Sequence, residues 1–94
     1  AFLRGPVYIG DGSVIGKASI NPLSIIGKGC SVGNNAVIEN SIIWEDTSIE
    51  ESVTIKNSII GKHCVILSNS ELDGVVIGDN TVITHYSRMG RKNG

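Results

Sequence analysis

Aliphatic residues recur along this chain at an interval that no helix produces. Ile9, Ile26, Ile43, Ile60 and Ile77 stand 17 residues apart. Six positions on, Ile15, Val32, Ile49, Ile66 and Ile83 repeat the interval, and a third column follows in Asn21, Ile38, Ile55, Leu72 and Met89. Each unit closes with Ile25, Ile42, Ile59 or Val76, so about four large aliphatic residues per unit are expected inside. Steps of five or six residues are foreign to the 3.6-residue helical period. They fit a short strand followed by a corner, three times per turn.

The corner positions carry residues that tolerate positive φ: Gly12, Gly29, Asp46 and Asn80, then Asn35 and Asn69, then Asn40, Asn57 and Gly74. Stacked coils let each strand bond to its equivalents above and below, about 4.8 Å away. The pattern therefore predicts an all-β chain, a parallel β-helix of about five coils with a 17-residue period. Regular coils are expected over 8–87. Residues 88–94 are expected to fray or cap, because Asn93 falls in an inward column and Arg88, Arg91 and Lys92 crowd the tail. Leu3 to Tyr8 read as the last face of a preceding coil. Residues 1–94 are thus read as one β-helix domain, either cut from a longer protein or covered at its N-terminal end by a partner.

Composition agrees with the pattern. Among 94 residues, 15 Ile and 9 Val face only 4 Leu and 3 Ala, while 12 Gly, 11 Ser and 8 Asn supply turns. β-Branched side chains pack well on pleated strands and lose χ1 freedom in helices. The net charge of −1 gives no basic excess for a phosphate backbone, so a nucleic-acid partner is not expected. No apolar run exceeds four residues, so no membrane span is expected. Cys30 and Cys64 lie two repeats apart, about 9.6 Å along the stack, too far for a disulfide. They read as buried reduced thiols of a cytoplasmic protein.

The hexads Ile9–Val14, Ile26–Ser31 and Ile77–Val82 follow the order aliphatic–Gly–x–x–small–x. This resembles the hexapeptide-repeat family, whose fold is the left-handed parallel β-helix. The handedness comes from the resemblance, since crossover physics alone favours right-handed connections. Arg4-Gly5-Pro6-Val7-Tyr8-Ile9-Gly10-Asp11-Gly12, Asn40-Ser41-Ile42-Ile43-Trp44 and Lys56-Asn57-Ser58-Ile59-Ile60-Gly61 are similar to the C-terminal β-helix of sugar-1-phosphate nucleotidyltransferases. Long glucose-1-phosphate thymidylyltransferases, mannose-1-phosphate guanylyltransferases and ADP-glucose pyrophosphorylases are the nearest in kind. The resemblance spans roughly residues 3–87. It implies a parent that joins a sugar 1-phosphate to a nucleoside triphosphate, with release of pyrophosphate. The glycine-rich loop and the magnesium-binding carboxylates of that chemistry belong to an N-terminal nucleotidyltransferase domain. No catalytic residue carries over to this chain. Packing on that domain, homo-oligomerisation or regulation is the implied role.

Other residues invite chemistry of their own. Gly10-x-Gly12 and Gly27-x-Gly29 miss the dinucleotide spacing, and the hexad accounts for them. Acyltransferases of the hexapeptide fold use a His as general base with acetyl-CoA, which makes His85 and His63 the candidates for that alternative. The two fall on different corners, and the register runs from Ile9 to Ile83 without the inserted loop that such enzymes commonly carry. Glu45, Asp46, Glu50 and Glu51 form an acidic cluster, read as a solvated face. With two Cys and two isolated His, no metal-ligand spacing exists. Trp44 stands where other coils carry Gly10, Gly27, Gly61 and Gly78. It is expected to project outward as an interface residue.

Overall fold

The computed structural model describes residues 2, 3 and 5–90. Three parallel sheets form the sides of a prism, one six-stranded and two five-stranded. The first face stacks Phe2–Leu3, Ser19–Ile20, Val37–Glu39, Thr54–Lys56, Glu71–Asp73 and Arg88–Gly90. The second stacks Val7–Ile9, Ser24–Ile26, Ile42–Ile43, Ile59–Ile60 and Val76–Ile77. The third stacks Val14–Ile15, Ser31–Val32, Ser48–Ile49, Val65–Ile66 and Val82–Ile83. The chain visits the second, third and first faces in turn. Each circuit lays one coil on the last.

Strand alternation decides what fills the inside. Ile26, Ile43 and Ile60 are fully buried at one level after another, and Val32, Ile49 and Ile66 do the same on the third face. Coils are numbered one to five here by the column Ile9, Ile26, Ile43, Ile60 and Ile77. The expected fourth inward aliphatic per coil is not there. Ile25 and Ile59 precede the buried residues of their strands by one position, so they point outward and are exposed. Three aliphatic columns, a set of small residues and the fully buried Val53 complete the core.

The small residues have a hydrogen-bonding task. A corner leaves amides outside the strand ladder, and a buried amide without a partner is costly. Ser41 Oγ donates to Glu39 O at 2.8 Å and accepts from the amide of Ser58, one coil on, at 3.1 Å. Ser58 repeats this with Lys56 O and the Val75 amide. Along another corner, Ser13, Cys30, Thr47 and Cys64 each donate to the carbonyl at the start of the next coil's corner, from Gly27, Trp44, Gly61 and Gly78 respectively. The cysteines thus occupy hydroxyl positions in this stack. They are buried and free, in agreement with the sequence reading.

Two further expectations are corrected. Asn21 was placed in the third inward column, but Ile20 holds that place, fully buried and paired with Ile38. The corner at Gly16 to Ala18 is one residue short, lacking the left-handed residue that Asn35, Ser52, Asn69 and Tyr86 provide in later coils. The next corner, Asn21 to Leu23, is one residue longer and so restores the register. The second correction concerns the tail. Arg88–Gly90 does not fray; it pairs in parallel with Glu71–Asp73, placing Met89 beside Leu72. Asn93, Arg91 and Lys92 lie outside the described residues.

Candidate functional site

Most corners use Asn, Asp or Gly in the left-handed region, but Leu23 and Tyr86 also sit there, at φ of 65° and 59°, and both are exposed. Bulky residues are uncommon at such positions. Leu23 borders the second face, which differs from the other two on its outer side. Its outward column reads Tyr8, Ile25, Ile42, Ile59 and Val76, apolar at every level. The first face turns Ser19, Thr54, Glu71 and Arg88 outward with Val37 among them, and on the third Ser31 and Ser48 interrupt the column of Val14, Val65 and Val82. An apolar stripe across five levels is far from the scatter of single apolar residues seen on ordinary surfaces.

Trp44 lies on this same side, two positions after Ile42, and is half exposed at 50 %. Its column explains why it stands out. A Cβ at Gly27 would lie 2.8 Å from the Glu45 amide, and one at Gly61 would lie 2.7 Å from the Asp79 amide. Those glycines let neighbouring coils close up. Coil three alone carries a side chain at this level. Beside the indole is a shallow depression of about 390 Å³, bounded by Ile59, Gly61, Lys62, Val76 and Asp79.

A charge ladder edges the same face. Asp11, Lys28, Glu45, Lys62 and Asp79 occupy one position per coil, alternating in sign. Glu45 reaches both neighbours, with Lys28 at 3.8 Å and Lys62 at 3.7 Å. These pairs are solvent-exposed and of modest worth, about 0–1 kcal/mol each. Their regularity matters more than their strength. Glu45, read from sequence as part of an acidic cluster, is therefore paired, and Asp46 beside it lies 3.9 Å from His63 Nε2.

The two histidines are not brought together. His63 is a left-handed corner residue, at φ of 56°, whose Nε2 faces Asp46. His85 lies at another corner and shares a hydrogen bond with Ser68 Oγ through Nδ1, at 2.9 Å. Ser68 went unnoticed in the sequence although it stands one period from His85. Glu50 accepts from the Ser68 amide at 3.0 Å, not from the imidazole, so these three groups do not form a proton relay. Among the described residues, no three His, Cys, Asp or Glu side chains converge on a metal-sized site. Burial pushes the Cys30 thiol up from 9.0, and the nearby Asp46 and Glu45 carboxylates push the same way against backbone hydrogen bonds. It stays a protonated thiol at neutral pH, a poor nucleophile.

The unbroken three-sided coil is the feature that a family comparison can decide. Residues 1–89 match the model of the EIF2B subunit epsilon LbH domain, a left-handed β-helix. The chain belongs to that family. The match covers the hexads and supports the C-terminal hexapeptide-repeat kind of domain found in sugar nucleotidyltransferases. No curated protein matches the chain. Among the described residues of this LbH domain, no helix is long and apolar enough to cross a membrane.

Proposed function

We propose that this LbH domain is the C-terminal assembly module of a nucleotidyltransferase-like protein, holding the parent together through its apolar second face. The observation that carries the reading is the outward column from Tyr8 to Val76 with Trp44 beside it, on a chain whose residues 1–89 match the family. The parent's reaction would join a sugar 1-phosphate to a nucleotide in a separate N-terminal domain, in the cytoplasm. Magnesium would belong to that domain, in keeping with the dispersed carboxylates here. The test is turnover by this chain. Given a nucleoside triphosphate and sugar 1-phosphates with magnesium, it should release no pyrophosphate. Given acetyl-CoA and amino-sugar phosphates, it should show at most trace transfer. Robust acetyl transfer that disappears with His85→Ala or His63→Ala would overturn the reading in favour of an acyltransferase.

A further inference from the structure

We propose that a second copy of this chain covers the apolar face, with the two solenoids antiparallel about a two-fold axis passing between coils three and four. The inference rests on the assembly reading above and names the partner and its register. It follows from the order of charges along the ladder together with the position of Trp44.

Two identical flat faces can meet about a two-fold axis lying in the plane between them. If the axis runs along the solenoid, each coil meets its own equivalent. The charge ladder at one margin then lies against the opposite corner, where Glu39, Lys56 and Asp73 precede Asn40, Asn57 and Gly74, so Glu45, Lys62 and Asp79 meet charges of their own sign. If the axis runs across the solenoid, ladder meets ladder with the coils in reverse order. An axis cutting through coil three sets Glu45 on Glu45 and Lys28 on Lys62. Like charges then oppose at every level. An axis between coils three and four sets Glu45 against Lys62 and Lys28 against Asp79, so every facing pair attracts.

The same placement covers four of the five levels of the apolar column, leaving Tyr8 outside the overlap. Ile42 faces Ile59 of the second copy and Ile25 faces Val76, all outward side chains. Trp44 comes opposite Gly61 of the second copy, the position beside which the depression of about 390 Å³ opens. An axis between coils two and three would also pair unlike charges, but it would set Trp44 over Gly27, away from that depression. The indole and the depression therefore choose between the two registers.

Four overlapping coils at about 4.8 Å, on a face of about five extended residues, give a patch roughly 20 Å on a side. That falls short of the ~800 Å² per partner of a standard interface. The expected dimer is weak and its mass depends on concentration. The net charge of −1 per chain adds little repulsion.

Two charge reversals test the register. Glu45→Lys puts lysine against lysine across the proposed interface, and Lys62→Glu puts glutamate against glutamate. Each variant alone should dimerise about tenfold more weakly than wild type, or worse. Mixed in equal amounts they present only unlike pairs, and the mixture should regain a species of twice 9.9 kDa in sedimentation equilibrium. Circular dichroism confirms that each variant is folded. Should either variant unfold, Glu45→Cys mixed with Lys62→Cys asks the same question through a disulfide that forms in the mixture and in neither variant alone. A wild-type dimer whose mass the single variants leave unchanged, or a mixture that regains nothing, overturns the antiparallel register. A wild-type chain that remains monomeric at all concentrations overturns the second copy as occupant. Neither result requires turnover, so the non-catalytic reading stands or falls separately.

Discussion

The two sides of the second face are built from the same chemistry and meet opposite fates. In the strands Ile42–Ile43 and Ile59–Ile60 one isoleucine is wholly buried and its neighbour is turned outward. The inner column is covered by the coil itself. The outer column is covered by nothing among the described residues, although it has the composition of a core. On the first face, by contrast, outward Ser19, Thr54, Glu71 and Arg88 need no cover. The difference separates the apolar surface this chain uses to fold from the apolar surface left available for association.

Substitutions on the two sides sharpen this division. The largest effect belongs inside. Ile43→Ala should cost about 2–5 kcal/mol, since the closed prism cannot collapse around the cavity, whereas Ile42→Ala should cost far less in the monomer. Chemical denaturation of both variants measures the contrast, and equal losses would erase the distinction between the sides. Next comes the glycine column. Gly61→Ala sets a Cβ within 2.8 Å of two backbone atoms of coil five and should cost about 1–3 kcal/mol in thermal melts. A neutral result would mean that the coils yield at this level, and that Trp44 is tolerated for the same reason.

The smallest effect lies at Cys30. Its thiol is raised above 9.0 in the folded chain by burial and by the neighbouring carboxylates. Above that pH the unfolded chain loses the proton while the folded chain keeps it. Stability should therefore fall as pH rises through this range. Cys30→Ser keeps a hydrogen-bond donor for Trp44 O and removes this ionisation, so its stability curve should be flatter above pH 9.0 than that of wild type. Identical slopes in the two proteins would show that the thiol does not contribute.

Much of the architecture is legible in the sequence because one interval governs it. The 17-residue spacing gives the strands, the inner columns and the corners at Gly12, Asn35 and Asn40, all of which have positive φ. What is hidden has physical causes. The short corner before Ala18 and the long one after Ile20 cancel between Ile9 and Ile26, so the period stays intact and the displaced Asn21 is the only sign. The outward column is obscured because Ile-Ile and Val-Ile pairs give alternation without contrast in hydrophobicity. Met89 already stood in the third column, but the basic residues around it masked the strand at Arg88–Gly90. The pairing of Ser68 with His85 was available from the period alone. The exposure of Trp44 was correctly foreseen from the glycines in its column.

That residue offers the most direct test of the division between folding and association. Trp44→Gly restores the residue that the other four coils carry at this level. Sedimentation equilibrium and a thermal melt on the two proteins, side by side, read association and coil stability together. The account predicts a preserved coil with a loss of association of about 2 kcal/mol, as for an interface hot spot. An unchanged mass with a clearly lowered melting temperature would contradict it, because Trp44 would then be serving its own coil.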